Sequence, residues 1–242
     1  DNVTSIGHSA FSGCSGLTSI NIPNGVTSIE SSVFRNCSGL TTITIPESIT
    51  SIRSQAFYNC SALISITIPD SVTSIESGAM SECSALATLT IPFVGGSSTS
   101  NTYLGYIFGA SSYSSNSSYV PSSLKTVIVT GGASIASNAF SGCSGLTSIN
   151  IPNSATSIGS YAFYNCSSLA SITIPSGVTS IGINAFQNCT AMRRIYIPSS
   201  VTTISASSYS YSPFYGWNST AIIYCGASSK PNGWGAYWNY YA

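Results

Sequence analysis

The stretch Cys14-Ser15-Gly16-Leu17-Thr18-Ser19-Ile20-Asn21-Ile22-Pro23-Asn24-Gly25-Val26-Thr27-Ser28-Ile29 decides the reading of this 242-residue chain, because it recurs. Cys14 returns as Cys37, Cys60 and Cys83, and Leu17 as Leu40, Leu63 and Leu86, always 23 residues on. Val26-Thr27-Ser28-Ile29 returns as Ile49-Thr50-Ser51-Ile52 and Val72-Thr73-Ser74-Ile75 at the same step. After an interruption the pattern resumes with Cys143, Cys166 and Cys189, and with Leu146, Leu169 and Met192. One unit cannot bury its apolar side chains alone. Stacked coils can, each ladder leucine lying against the next. Ile20 and Ile22 alternate with Ser19 and Asn21, the period of a strand with one buried face. The proline that follows has no N–H and ends the ladder at a fixed place. The segment carrying Ala10, Phe11 and Cys14 is expected to be a turn or short helical piece that brings the chain back. The expected fold is a repeat solenoid with a parallel β-sheet, built from short strands, turns and short helical segments.

Leu17-x-x-Ile20-x-Ile22-Pro23, followed by Val26-x-x-Ile29 and Ala-Phe-x-x-Cys, resembles the BspA-like leucine-rich repeats, over nearly the whole chain. The stretches Tyr106-Ile107-Phe108-Gly109 to Lys125 and Ile223-Tyr224-Cys225-Gly226 to Trp234 also resemble variant coils in such proteins from gut bacteria. The resemblance implies a leucine-rich-repeat superhelix in a secreted or cell-surface bacterial protein. Some relatives are adhesins for host matrix proteins. Fold follows from family membership far more firmly than function does.

Composition narrows the chemistry. Charged residues make up 5% of the chain, six basic against six acidic, with one histidine. This excludes a polybasic nucleic-acid binder and an acidic tail, and leaves little for acid–base catalysis. No enzyme, cofactor or metal site is expected. The 43% hydrophobic content supplies a core. No run of 18 apolar residues is present, so no helical membrane span is expected.

The ladder runs through Leu124 as well, giving about eight strands in a single solenoid spanning 1–242. From Leu86 to Leu124 is 38 residues, so one coil is enlarged between 93 and 123, with Tyr103, Tyr106, Tyr113 and Tyr119 in the insertion. Insertions in solenoids map to loops on one face. From 205 to 242 the repeat decays into Tyr209, Tyr211, Phe214, Tyr215, Trp217, Trp234, Tyr237, Trp238, Tyr240 and Tyr241. This reads as an aromatic cap covering the open end, since a terminal coil must shield its apolar side. Asp1 falls within a repeat, and the chain is expected to be a piece of a longer one.

Several motifs have bland explanations. Seven cysteines are locked to the repeat and point the same way, so they read as buried free thiols rather than disulfides. Cys225 lies off the repeat and is expected to be accessible. Asn36, Asn59, Asn165 and Asn188 sit in Asn-x-Ser/Thr triplets generated by the repeat and read as turn residues. Ser122-x-x-Lys125, Gly95-Gly96 and the lone His8 lack the context that catalysis or phosphate binding needs. Glu30, Arg53 and Glu76 share a column with alternating sign. Residues 1–82 carry −4 and residues 83–242 carry +4.

The outer face of the strands is the candidate site. Thr42, Thr44, Ser65, Thr67, Thr88 and Thr90 line it as small hydroxyls, and Arg194 with Tyr196 forms a cationic-aromatic patch. A protein partner would anchor on Arg194, Tyr196 and tyrosines of the insertion, since such side chains dominate hot spots. A glycan would use the hydroxyls and stack on Tyr196 or an exposed Trp234. Regular Thr-x-Thr pairs also resemble an ice-binding array. Against all three stands the plain reading that Thr suits strands and Ser is tolerated on surfaces.

Overall fold

A computed structural model describes residues 2–239, apart from the Tyr209 side chain; Tyr240 and Tyr241 lie outside the described residues. Two compact units are present, Asp1–Thr130 and Gly131–Ala242. Each is a solenoid of parallel coils.

The first unit contains β1 (Ser19–Asn21), β2 (Ser28–Ile29), β3 (Thr42–Thr44), β4 (Ser51–Ile52), β5 (Ser65–Thr67), β6 (Ser74–Ile75), β7 (Thr88–Ile91) and β8 (Thr126–Val129). The constant step sets the register: Ser19 faces Thr42 and Ile20 faces Ile43 between β1 and β3, and Ser65 faces Thr88 between β5 and β7. β7 pairs with β8, Thr88 opposite Thr126, so the insertion leaves the register intact. The Val-Thr-Ser-Ile segment forms a second parallel sheet, β2–β4–β6, in which Ser28, Ser51 and Ser74 align. Alternation in the sequence does not reveal these strands. Two-residue strands carry too short an alternation to stand out.

Between the strands the chain closes each repeat with successive turns, without helix. Asn36 and Asn59 adopt the left-handed conformation at φ 58° and 54°, which Asn tolerates better than most residues. Their side chains also join coil to coil, Asn59 Nδ2 donating to Asn36 Oδ1 at 3.1 Å. Helical segments instead occupy the insertion, as 3-10 turns at Leu104–Phe108 and Tyr113–Ser115 and a single helical turn, α1 (Asn116–Tyr119).

The second unit contains β9 (Ser148–Asn150), β10 (Ser157–Ile158), β11 (Ser180–Ile181), β12 (Arg194–Ile197), β13 (Thr203–Ile204), β14 (Ile222–Cys225) and β15 (Gly233–Trp234). β10, β11, β13 and β15 form one parallel sheet, and β12 pairs with β14. In the coil of the ladder residue Leu169 the strand is reduced to a single bridge, Thr173 to Tyr196.

Two ladders fill the core. Phe11, Phe34 and Phe57 stack at centroid spacings of 5.6 and 5.5 Å, and Phe140, Phe163 and Phe186 at 5.4 and 5.0 Å. Beside them five cysteine thiols, those of Cys37, Cys60, Cys83, Cys166 and Cys189, donate to the phenylalanine carbonyl of the preceding coil. Cys37 reaches Phe11 at 3.1 Å, Cys60 reaches Phe34 at 3.1 Å, and Cys189 reaches Phe163 at 3.2 Å. The six inner cysteines are buried and free, as their spacing implied. Burial pushes their thiols up, Cys83 and Cys189 to about 12. Cys14 departs from that expectation and is exposed. Cys225 is exposed too.

Candidate functional site

The strand face of the first unit presents Thr42, Thr44, Ser65 and Thr67 to solvent, as alternation required. Together with Glu47 and Pro69 these four residues line an open groove of about 340 Å³ between β3 and β5. Thr88 and Thr90 are half-buried on β7, opposite Ser65 and Thr67.

Hydroxyls elsewhere in the repeat are already committed to structure. Thr41, Thr50 and Thr73 donate to the carbonyls of Thr18, Thr27 and Thr50 in the preceding coil, at 3.1–3.2 Å. Ser48 and Ser71 bond Val26 and Ile49 in the same way. Thr179 and Thr202 repeat the device in the second unit. The six candidate hydroxyls on β3, β5 and β7 take part in no such bond within the described residues. Thr41 and Thr42 are neighbours in the chain, and their hydroxyls differ: Thr41 bonds the preceding coil and Thr42 does not.

In the second unit, Arg194 and Tyr196 lie exposed on β12. Their register partners on β14 are Ile222 and Tyr224. Tyr196, Ile222 and Tyr224 are 55%, 51% and 50% exposed, large fractions for side chains of this size. The Tyr196 hydroxyl lies over Gly226, where a Cβ would approach it to 2.4 Å. Ile222 and Tyr224 were missed as site residues. They belong to a coil with no recognisable repeat, and only the pairing of β12 with β14 places them beside Arg194 and Tyr196.

Trp234 corrects the glycan-stacking expectation. It is 4% exposed, and its indole Nε1 donates to the Val201 carbonyl at 2.9 Å. A buried ring offers no face to a sugar. Trp217 is likewise internal, donating from Nε1 to the Phe186 carbonyl at 2.7 Å, while Phe214 stacks on Phe186 at 6.1 Å.

The charged column is partly paired. Arg53 bridges to Glu76 at 2.8 Å, and Glu30 instead accepts from the Ser28 hydroxyl. The Arg53 hydrogen bond holds the Glu76 carboxyl below its ordinary range. Lys125 Nζ donates to the Ser122 backbone carbonyl at 2.7 Å. His8 is exposed in the first coil. Among the described residues no group of three His, Cys, Asp or Glu side chains gathers to hold a metal, and no helix is long and apolar enough to cross a membrane.

The family model for the BspA type leucine-rich repeat region matches residues 1–105 and 110–220, and the chain belongs to that family. Among solved structures, it is similar to a leucine-rich repeat protein from Eubacterium ventriosum, at 26% identity and a TM-score of 0.56, covering 86% of this chain and 50% of that one. It is also similar to a leucine-rich cell surface protein from Faecalibacterium prausnitzii, at 29% identity and a TM-score of 0.38, covering 93% and 70% of the two chains. The chain spans half the length of the Eubacterium protein. No curated protein matches it. The family defines a leucine-rich-repeat module.

Proposed function

We propose that the chain is a non-catalytic adhesion or recognition module that docks a protein partner on the β12–β14 face. The observation that carries this reading is the exposed quartet Arg194, Tyr196, Ile222 and Tyr224, two register-paired rows of large side chains. Aromatic and arginine side chains dominate protein hot spots, because they bury much area at modest entropic cost. The partner surface is apolar with acidic groups. Residues 131–242 contain Arg193, Arg194 and Lys230 and no acid, giving +3. Exposure at the cell surface or in the medium belongs to the same reading and is supported by the family.

A glycan reading of the first unit's hydroxyl groove is second, favoured by the unspent hydroxyls of Thr42, Thr44, Ser65 and Thr67. An ice-binding array fits less well, because the groove interrupts the plane of hydroxyls.

The test is binding to immobilised extracellular-matrix proteins by wild type, Arg194→Ala, Tyr196→Ala and Tyr224→Ala. Each variant is expected to weaken binding by about tenfold or more, as a hot-spot truncation does, and the wild-type signal is expected to fall with added salt. Absence of binding to every matrix protein, or binding unchanged in all three variants, overturns the proposal.

A further inference from the structure

A second cleft, of about 410 Å³, opens in the first unit between the turn of the fourth coil and the insertion. Glu82 and Ser84 line it from the coil, and Phe108, Ser117, Tyr119 and Ser122 from the insertion. Its volume falls in the range of ligand sites. None of the candidate residues of the strand faces lies in it.

Glu82 is the unusual member of its column. The equivalent positions are Gly13, Asn36 and Asn59 in the first unit, and Gly142, Asn165 and Asn188 in the second. All adopt the left-handed backbone, Glu82 at φ 62°. Glycine and asparagine accept that conformation more readily than glutamate does. The asparagines also bond to one another, Asn36 with Asn59 and Asn165 with Asn188. Glu82 gives up that ladder, and within the described residues its carboxylate takes no hydrogen bond or ion pair. A carboxylate set without a partner at the rim of a cleft, in a backbone it fits poorly, points to a ligand.

The opposite wall is held in place. Asn116 is fully buried, and its Oδ1 accepts the Gly105 N–H at 2.9 Å, pinning the start of α1. Tyr119 ends that helical turn half-exposed, its ring lying against Gly109, which is left-handed at φ 98°. The Phe108 carbonyl is tied back to the Ser81 hydroxyl at 2.6 Å. The cleft therefore has one carboxylate, one accessible aromatic face and a rim of serine hydroxyls.

We infer that this cleft binds a neutral saccharide. Vicinal sugar hydroxyls donate to the Glu82 carboxylate, in charge-assisted bonds stronger than those between neutral groups. The sugar's C–H face lies on the Tyr119 ring. Serine hydroxyls both donate and accept, as sugar hydroxyls do. Glu82 repels acidic sugars. A cationic side chain would use the carboxylate and the ring but leave the serine rim unmatched. The site is independent of the β12–β14 face, so either proposal stands or falls alone.

The test is a glycan array carrying neutral and sialylated glycans, probed with the full chain, Glu82→Asn and Tyr119→Ala. Glu82→Asn restores the residue of the repeat and keeps the left-handed turn, so folding is preserved; thermal melting checks both variants. Wild type is expected to retain neutral glycans and not their sialylated forms, with a loss of about 10- to 100-fold in each variant. Four results overturn the inference: no glycan retained, preference for sialylated glycans, retention unchanged in Glu82→Asn, or capture by a lysine- and arginine-rich peptide that both variants abolish.

Discussion

The insertion at 93–123 and the aromatic segment from 205 onward solve a similar problem with different materials. Each follows a run of regular coils whose turn offers backbone groups to the next coil. The insertion meets them with its own backbone: Gly78 and Met80 donate to the carbonyls of Tyr106 and Ile107, at 3.1 and 2.8 Å. Much of the rest of the insertion is serine and glycine, held by one buried asparagine. The aromatic segment uses the same backbone device, Phe186 and Asn188 donating to the carbonyls of Pro213 and Tyr215 at 2.9 and 2.8 Å, and adds rings to it. Trp217 donates to the Phe186 carbonyl, the position that a cysteine thiol would reach in a further regular coil, and Phe214 extends the ring stack. Small residues leave room beside them and a cleft results. Large rings such as Phe214, Trp217 and Trp234 close the space, while Tyr211 and Tyr237 of the same segment, and Tyr196 and Tyr224 on the strand face, stay exposed.

The contrast is broken most directly at Trp217. Trp217→Ala removes a buried ring and leaves the Phe186 carbonyl with the Cys189 N–H as its remaining donor, with an expected loss of about 3–5 kcal/mol. Chemical denaturation measures it, and hydrogen exchange should rise at the amides of Phe186 and Asn188. A loss below about 1 kcal/mol would show that the ring only decorates the end. Asn116→Ala is the matching experiment in the insertion. It leaves the Gly105 N–H without its acceptor and is expected to cost about 1–3 kcal/mol, with exchange rising at Gly105. If its effect equalled that of Trp217→Ala, the two closures would be equally rigid.

The thiol ladders test what the two regions share. Cys83 before the insertion and Cys189 before the aromatic segment are both raised to about 12 by burial. A thiol whose folded pKa is raised contributes fully below its unfolded value, about 8.5. That contribution is lost as pH rises from there towards 12. Alkaline unfolding monitored by circular dichroism should therefore begin above about pH 8.5, and Cys83→Ala or Cys189→Ala should flatten its pH dependence. In native protein at neutral pH, iodoacetamide followed by mass spectrometry should label Cys14 and Cys225 and spare the six buried thiols.

The smallest effect belongs to the Arg53–Glu76 pair, both side chains 40% or more exposed. Glu76→Gln is expected to change stability by about 0–1 kcal/mol. Because the folded Glu76 pKa is depressed, the contribution is present above the unfolded value near 4.3 and disappears as pH falls through the folded one. Thermal melts at pH 7 and pH 3, at low salt, measure it.

Much of the fold was legible because a repeat writes each contact many times. Ile20 opposite Ile43, the buried thiols and the outward Thr42 and Thr44 all follow from a 23-residue step and the alternation of a strand. The second sheet escaped because its strands are two residues long, and the cysteine–phenylalanine bond because it joins residues 26 apart, out of phase with the period. The site was half legible. Arg194 and Tyr196 could be placed on the outer face by counting, whereas Ile222 and Tyr224 could not, since their coil keeps no period to count.

By itself, then, the amino-acid sequence determined the coil, its register and the family, because periodic burial has one economical solution. Tertiary structure alone decided which hydroxyls are spent on the backbone and which are free, that Trp234 faces inward, and that Glu82 confronts Tyr119 across a cleft. Those depend on where non-repeating segments settle against the repeat, and no period encodes that.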